Sequence, residues 1–228
     1  MIKTLKTRIR IILTKLLGKD FSNPSLTRLV RDSQVISFDV FDTLIIRSGL
    51  KTPSDLFDLI HPDDSTFKSR RIEAERKARE QLSLEDIKLE EIYKELYEDL
   101  RERQEVQEAM ALEISTELSV CRANPEALEF FNTVRKVGKR VVITSDMYLN
   151  RPTIENILTN CGYDLTGVNV YVSSEYGKTK RTSNLFREVL REEGMEGREG
   201  EVLHIGDNLI ADYISPRKIG MKSFLYNR

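Results

Sequence analysis

Cysteine and histidine are scarce in this 228-residue chain. The two cysteines, Cys121 and Cys161, form no C-x-x-C pair, which argues against a zinc cluster or a disulfide framework. The two histidines, His61 and His204, lack a second histidine or cysteine at metal-ligand spacing, so we expect them to be structural. This usage favours a protein of the reducing cytoplasm.

The net charge is also small, because 36 lysines and arginines nearly balance 37 aspartates and glutamates, giving −1. A protein without a strong overall field has no general attraction to nucleic acid or to an anionic membrane. We therefore expect no nucleic-acid partner, and any such electrostatic attraction has to be local.

Long apolar runs are missing as well. The longest run near the N-terminus, residues 9–17, is interrupted by Arg10, Thr14 and Lys15. A membrane-spanning helix needs ~20 predominantly apolar residues, so this run is too short and too polar to span. No small-residue cleavage site of a secretory signal follows it.

Basic charge is nevertheless concentrated in residues 1–31, which hold eight lysines and arginines against one acid, Asp20. Apolar residues recur there at roughly helical spacing, so we predict an amphipathic helical segment over residues 1–33. Two interpretations stay open. The segment lies peripherally on an anionic membrane surface, or it packs on its own domain, a preceding fusion segment or a partner.

From Gln34 onward, short apolar runs alternate with helix signals. Helices are predicted to start at Asn124-Pro125 and at Arg151-Pro152 and to occupy residues 182–193. The apolar runs predicted as strands are Val35 to Phe38, Val141 to Thr144, Val168 to Val172, Val202 to Ile205 and Ser223 to Tyr226. This alternation predicts an α/β fold, a parallel sheet with helices on both faces.

One insertion interrupts the alternation. No run between Leu44 and Cys121 predicts a strand, but Thr52-Pro53 and the capping-box sequence Ser83-Leu84-Glu85-Asp86 both resemble helix starts. The residues at helical apolar spacing are Ile87, Ile92, Leu96, Leu100, Met110, Ile114 and Leu118. We therefore predict a helical domain at 51–121, inserted after the first strand of a core formed by 34–50 and 122–228.

Polar motifs follow four of the predicted strands. In chain order they are Asp39-Val40-Phe41-Asp42, Thr144-Ser145-Asp146, Gly177-Lys178-Thr179-Lys180, and Gly206-Asp207 with Asp212 beyond it. Each motif alone is weak, because acids and hydroxyl residues after strands commonly cap helices or turns, and lysine pairs are common on surfaces. The carboxyl ends of parallel strands, however, meet at one sheet edge, where open α/β sheets bind ligands.

Together the four motifs supply the groups that Mg²⁺-assisted phosphoryl transfer requires. Carboxylates bind a hard cation through oxygen, a lysine and a hydroxyl balance the charge of the phosphoryl oxygens, and a free carboxylate attacks in line. Gly206 allows the backbone to approach closely at this edge. The sequence therefore predicts a small phosphorylated substrate and Mg²⁺ as cofactor.

In their order the motifs resemble the haloacid dehalogenase superfamily of hydrolases, over residues 34–228. The resemblance implies a Rossmann-like core, and it implies that the helical insertion is the cap that closes over the site. It also implies that Asp39 is the nucleophile, forming an aspartyl-phosphate intermediate. Mg²⁺ would then be bound by Asp39, Asp207 and the main-chain carbonyl of Phe41, while Asp212 ligates the metal or orients its waters.

The resemblance leaves two positions with alternatives. Ser145 fits the second motif best, because it directly follows the strand and precedes an acid, and Thr144 is the alternative. Lys180 fits the third motif best, with Lys178 as the alternative.

One departure from the superfamily pattern concerns proton transfer. Its phosphatases usually carry a second aspartate two residues after the nucleophile, acting as general acid and then as general base. Phe41 occupies that position here. An apolar residue there resembles the dehalogenase branch, whose halide leaving group needs no proton, although the Asp207 and Asp212 pair resembles the Mg²⁺-dependent branch. Asp42 is a candidate acid, but its side chain points elsewhere if the loop is standard.

The motif sequences FDVFDTL, SDMYL and HIGDN resemble those of a subgroup of predicted hydrolases. Members of this subgroup are found beside or fused to bacterial surface-polysaccharide glycosyltransferases. The first hypothesis is a cytoplasmic, Mg²⁺-dependent phosphatase or phosphotransferase acting on a sugar or polyol phosphate. The second is a catalytically impaired module that binds a phosphorylated ligand or regulates a glycosyltransferase, with residues 1–31 as a contact. Another hydrolysis, such as carbon–halogen cleavage, is the third.

Three arginines of the predicted cap can be interpreted in two ways. Arg70, Arg71 and Arg79 are expected to pair with Glu73 and Glu75 on the cap surface. The alternative is that one of these arginines contacts a substrate anion.

Overall fold

The computed structural model describes residues 17–82, 84–97 and 103–227. Its strands are β1 (Val35–Phe38), β2 (Ile45–Arg47), β3 (Cys121–Ala123), β4 (Arg140–Ser145), β5 (Asn169–Val172), β6 (Val202–Gly206) and β7 (Lys222–Leu225). Five of them form a parallel sheet in the order β5-β4-β1-β6-β7. At its centre, Phe38 of β1 lies opposite Ile143 on one side and Ile205 on the other.

Helices cover both faces of this sheet. They are α1 (Pro24–Arg31), α2 (Leu56–Ile60), α3 (Phe67–Gln81), α4 (Leu89–Leu96), α5 (Arg103–Val120), α6 (Pro125–Lys136), α7 (Arg151–Asn160), α8 (Ser173–Tyr176), α9 (Asn184–Glu192) and α10 (Ser215–Lys218). Successive β1 residues point to opposite faces. Phe38 packs in one apolar cluster with Phe131 of α6 and Ile154 of α7, whereas Val35 packs in another with Phe186 of α9. The predicted α/β fold is confirmed.

The predicted core elements agree closely with the observed ones, since each strand boundary differs by at most one residue. Helix α7 begins as expected, and the Asn150 side chain caps it by accepting the backbone N–H of Thr153 at 3.0 Å. Helix α9 begins two residues later than predicted, at Asn184, because Ser183 adopts a left-handed φ of 70° that a helix cannot continue through.

The prediction that no strand lies between Leu44 and Cys121 is wrong. Strand β2 follows Leu44 directly and pairs antiparallel with β3, so that Ile45 lies opposite Ala123. In the chain, the two strands of this ribbon stand directly before and after the inserted helices α2 to α5. Its strands have three residues each and are paired across a long insertion, which leaves no local pattern in the sequence.

The predicted capping box at Ser83-Leu84-Glu85-Asp86 is also wrong as a helix start. Ser83 lies outside the described residues, as does Leu100, and residues 84–86 are bends. Helix α4 instead begins at Leu89, where the Glu91 carboxylate accepts the backbone N–H of Lys88 at 2.7 Å.

The inserted helices bury charged groups as well as the predicted apolar residues Ile87 and Ile92. Arg71 is fully buried and donates to both carboxylate oxygens of Glu113, at 2.8 Å each. The Tyr93 hydroxyl donates to the same carboxylate at 2.8 Å. The Arg71 guanidinium also lies 4.7 Å from the ring centre of Phe57 and 4.9 Å from that of Tyr148. This cluster joins α2, α3, α4 and α5 to the core.

The expectation of surface pairing for the three cap arginines holds in part. Glu75 pairs with Arg79 at 3.0 Å and with Arg71 at 3.2 Å, but Arg71 is not on the surface. The other two expected residues have different partners. Arg70 pairs with Asp64, and Glu73 pairs with Arg76.

The segment preceding the core is described from residue 17 onward, and the N-terminal half of the predicted basic segment, residues 1–16, lies outside the described residues. Leu26 and Val30 of α1 are buried against the core, and the Phe21 ring centre lies 4.5 Å from that of Tyr226. The part from residue 17 to α1 therefore packs on its own domain. No helix among the described residues combines the length and apolar character needed to cross a membrane.

Breaking the buried Arg71–Glu113 pair should destabilise the cap. We expect Glu113→Gln to lower the free energy of unfolding by about 3–5 kcal/mol, because it removes the buried counter-charge of Arg71 and leaves only the partly exposed Glu75. Urea denaturation followed by circular dichroism measures the change. The matched control is Glu73→Gln, whose exposed pair with Arg76 is screened by solvent and should contribute little to stability. Equal stabilities of the two variants would contradict the role of the pair.

Candidate active site

The carboxyl edge of the sheet brings three aspartates and one lysine together. The Asp39 backbone N–H donates to the Ile205 carbonyl at 2.9 Å, which extends the pairing of β1 with β6 by one residue. The Lys180 ammonium donates to the Asp39 carboxylate and lies 2.7 Å from that of Asp212. Carboxylate oxygens of Asp39, Asp207 and Asp212 all lie within 4.8 Å of one another. The structure thus places these four predicted residues in one cluster.

Asp212 is held in the cluster from three sides. One oxygen accepts the backbone N–H of Asn208 at 2.8 Å, and the other lies 3.1 Å from His204 Nε2. The other His204 ring nitrogen lies 2.8 Å from the Ser37 hydroxyl. A Cβ atom on Gly206 would lie 2.5 Å from Asp212 Cγ. Glycine is therefore required at position 206, because Asp212 approaches the backbone closely there. His204, expected from the sequence to be structural, lies between Ser37 and Asp212.

The cluster carries an excess of negative charge in a buried place. Burial raises the pKa of Asp39 well above its usual value although Lys180 opposes this. Burial also raises the pKa of Asp207 to about 7, with contributions from Asp212 and Asp42. Burial likewise disfavours charge on Asp212, but Lys180 and His204 outweigh it, so the Asp212 pKa is lowered. A bound cation would relieve this repulsion.

The alternatives left open by the sequence differ clearly in their surroundings. Lys178 pairs with Glu188, away from the cluster, whereas Lys180 is buried within it. The Thr144 hydroxyl lies 2.9 Å from that of Ser37. By contrast, the Ser145 hydroxyl is the one buried side-chain oxygen or nitrogen among the described residues without a hydrogen-bond partner. Lys180 is therefore the lysine that belongs to the carboxylate cluster, and Ser145 is the hydroxyl with an unused hydrogen-bonding capacity.

Phe41 and Asp42 occupy different sides of the loop after β1. The Phe41 ring is half-buried and lies 4.1 Å below the guanidinium of Arg47, which in turn donates to Glu117 at 2.6 Å. Asp42 is exposed, with a left-handed φ of 60° that aspartate tolerates better than most residues. Both residues line the same cavity, and the negative charge of Asp42 contributes to the raised pKa of Asp207.

A cavity of about 490 Å³ lies between the sheet edge and the cap. Its cap-side lining includes Pro53, Ser54, Phe57, Ile72, Glu75 and Glu117, and its core-side lining includes Asp39, Phe41, Asp146, Tyr148, Lys180, Arg181 and Asp207. None of Arg70, Arg71 and Arg79 lines it. Arg47, Asp146 and Arg181 also line the cavity but were not among the predicted site residues. Asp146 could have been found, because it directly follows Ser145 at a strand end.

Two adjacent acids of the cap hold the core loops of the site. The Glu85 carboxylate accepts the backbone N–H of Thr179, just before Lys180, at 2.8 Å. It also accepts from the side chains of Thr182 and Asn184, which follow Lys180 in the chain. Asp86 is buried and accepts the Ser173 hydroxyl, whose oxygen accepts the Met147 backbone N–H at 2.8 Å. The acids of the supposed capping box therefore connect the inserted helices to the loops at the carboxyl edge of the sheet.

Removing the Glu85 carboxylate should loosen the loop that carries Lys180. We expect Glu85→Ala to increase amide hydrogen exchange in residues 177–184 by about tenfold or more, because a hydrogen bond to a charged group contributes about 1.5–3 kcal/mol. Mass spectrometry of peptides from this loop measures the effect. Glu80→Ala, which removes an exposed cap carboxylate paired with Arg76, is the control. Unchanged exchange in Glu85→Ala would contradict the connection.

Comparison with solved structures shows the same architecture in haloacid dehalogenase-like hydrolases. A 2-haloacid dehalogenase from Pseudomonas syringae pv. Tomato DC3000 is similar with a TM-score of 0.57, 14% identity and coverage of 86% of both chains. The putative HAD-hydrolase YfnB from Bacillus subtilis bound to magnesium has a TM-score of 0.58 and 15% identity, covering 84% of this chain and 87% of its own.

A HAD phosphatase from Thermococcus onnurineus is similar to the same degree, with a TM-score of 0.55, 15% identity and coverage of 86% of both chains. No protein-family model and no curated protein matches the chain. At these identities the likeness establishes the fold: the chain has the α/β fold of haloacid dehalogenase-like hydrolases.

Proposed function

We propose that the protein is a Mg²⁺-dependent hydrolase of the haloacid dehalogenase type that removes the phosphoryl group of a small metabolite. The observation that carries the proposal is the cluster of Asp39, Asp207 and Asp212 with Lys180, at the carboxyl edge of the sheet and beneath a cavity. The magnesium bound to one similar structure and the phosphatase activity named for another support it.

The residues present fit a magnesium ion. Three carboxylates with oxygens within 4.8 Å form a hard, oxygen-only donor set, and their mutual repulsion in a buried site favours a cation. Asp39, Asp207 and the main-chain carbonyl of Phe41 would hold the ion, with Asp212 ligating it or orienting its waters. Bound there, Mg²⁺ would offset the charge of the transferring phosphoryl group.

The protein side chains supply the remaining chemistry. Thr43 donates to one Asp39 oxygen at 3.1 Å and Lys180 donates to the other, which fixes the carboxylate for in-line attack on phosphorus. The unpartnered Ser145 hydroxyl and the Lys180 ammonium would bind the phosphoryl oxygens. The cap covers the cavity and limits access of bulk water.

The cavity supports a sugar or polyol phosphate as the substrate class. Its volume of about 490 Å³ suits a small metabolite. Phe57 and Ile72 give its cap wall apolar surface, while Ser54 and Glu75 add polar groups that can bind hydroxyls. We propose that the protein acts on such phosphate esters in the cytoplasm.

A second candidate is a catalytically impaired module that binds a phosphorylated ligand or regulates a polysaccharide glycosyltransferase, contacted through residues 1–31. Phe41 favours it, because the side chain that usually transfers the proton is replaced by a ring packed under Arg47. The intact cluster of carboxylates favours the enzyme, because a binding module has no need of buried like charges that repel one another.

The direct test is a panel of phosphorylated metabolites assayed for phosphate release with and without Mg²⁺. We expect release from sugar or polyol phosphates only with Mg²⁺, and Asp39→Asn should lower it by roughly 10³-fold or more because the nucleophile is lost. Beryllofluoride, which mimics an acyl phosphate, should bind the wild type and not the variant. Asp58→Asn, an exposed cap substitution, is the control. Wild-type turnover in Asp39→Asn would rule out the covalent mechanism.

Metal binding is tested separately from turnover. Asp207→Asn removes one charged ligand and should weaken Mg²⁺ affinity by at least about tenfold in isothermal titration calorimetry. Asp63→Asn, at an exposed cap position, should bind Mg²⁺ like the wild type. Unchanged affinity in Asp207→Asn would show that the metal lies elsewhere.

A further inference from the structure

The alcohol part of an alkyl phosphate is a poor leaving group when it must leave as an alkoxide. Phe41 has no proton to give to the leaving oxygen. The cavity is lined by seven carboxyl groups that could take over this role: Asp39, Asp42, Glu75, Glu117, Asp146, Asp207 and Asp212. Three of them form the proposed metal and nucleophile cluster, so four candidates for proton transfer are left.

The two cap carboxylates are both engaged in ion pairs with arginines. Glu117 accepts from Arg47 at 2.6 Å and is almost fully buried with it. Glu75 accepts from Arg71 at 3.2 Å and from Arg79 at 3.0 Å. Both carboxylates are therefore already bound to guanidinium groups of the protein.

Asp42 lines the cavity but is exposed to solvent. It lies next to Phe41 in the loop after β1, where the chain turns through its left-handed φ of 60°. Asp42 is therefore the competing candidate for the proton-transfer role.

Asp146 differs from the others in its contacts. It is partly buried, lines the cavity, and accepts the backbone N–H of Lys180 at 2.8 Å through one oxygen. Among the described residues, no cationic side chain forms an ion pair with it. Burial raises the pKa of Asp146 to about 6, although Lys180 opposes the shift. A fraction of this carboxyl is therefore protonated near neutral pH.

The sheet places Asp146 beyond the nucleophile, in the direction of the cavity. Phe38 of β1 lies opposite Ile143 of β4, so Asp39 is one residue past this pair and Asp146 is three residues past it. Asp146 directly follows Ser145, the last residue of β4, and lines the cavity together with Asp39. In an in-line displacement the leaving oxygen lies on the far side of phosphorus from the attacking oxygen. A phosphoryl group bound above Asp39 would therefore direct its leaving oxygen into the cavity that Asp146 lines.

We propose that Asp146 is the general acid and general base of the reaction, replacing the acid that is absent at Phe41. This assignment rests on the proposed phosphatase function. Asp39 forms the bond to phosphorus as the ester oxygen leaves, and that oxygen takes the Asp146 proton to give the free alcohol. The Asp146 carboxylate then takes a proton from water as the water oxygen attacks phosphorus and the bond to Asp39 breaks. Phosphate is released and both aspartates return to their starting forms.

The test compares the wild type with Asp146→Asn on aryl and alkyl phosphates of graded leaving-group pKa, with Mg²⁺. General acid catalysis contributes ~10² to 10⁴ in rate. We expect the first turnover of alkyl phosphates to slow by that factor, while the first-turnover release of an aryl leaving group is retained. Aspartyl-phosphate should then accumulate during aryl phosphate turnover, because the base that activates water is also missing. A steeper dependence on leaving-group pKa is the signature.

Several outcomes would overturn the assignment. An equal loss for aryl and alkyl substrates in the first turnover would show that Asp146 only positions the Lys180 loop. A steeper dependence in Asp42→Asn, with none in Asp146→Asn, would move the role to Asp42. Mg²⁺ affinity and the unfolding midpoint of each variant verify that the site is intact, and Asp146→Ser repeats the comparison if Asp146→Asn is unstable. A wild type that cleaves no phosphate ester overturns the proposed function itself, and this assignment with it.

Discussion

The arrangement of side chains at the carboxyl edge of the sheet depends on Lys180, because it is the cation that lets buried carboxylates approach one another. Its ammonium contacts Asp39 and lies 2.7 Å from Asp212, while its backbone N–H binds Asp146. Burial by itself would lower the Lys180 pKa, but Asp212 and Asp39 outweigh this and raise it, so the side chain stays charged. One residue thereby connects three strand ends of the sheet.

The same balance of buried charge shapes the cap. Arg71 with Glu113 joins four cap helices, and Arg47 with Glu117 joins β2 to α5 at the cavity wall. A buried ion pair gives less stability than its Coulomb attraction suggests, because both groups lose their hydration. It does impose a definite geometry, since a guanidinium and a carboxylate meet well in few orientations. The cavity wall is consequently fixed by directional contacts.

The sequence was informative wherever a buried strand ended in a polar residue. Apolar runs placed β1, β4 and β6 within one residue, and parallel strands must bring Asp39, Ser145 and Asp207 to one edge. The choice of Lys180 over Lys178 was supported by the resemblance, but only the fold shows that the Lys178 side chain points to Glu188. Functional roles of these residues remain predictions.

Where the sequence misled, the reason was long-range contact. The acids Glu85 and Asp86 match a helix-capping pattern, yet their partners are Thr179 and Ser173, about ninety residues away in the chain. The three-residue strand β2 likewise depends on a partner beyond the cap. Local propensity cannot register interactions whose second member lies in a different part of the fold.

The β2–β3 ribbon also has a consequence for how such a protein can diversify. Ile45 and Ala123 are neighbours across the ribbon, so the chain leaves the core and returns to it at almost the same point. Cα atoms of paired antiparallel residues are only about 4.5–5.5 Å apart. A hairpin turn could close this gap, and so could an insertion of another size or fold. The core with its aspartates could thus stay unchanged while the inserted helices above it are exchanged.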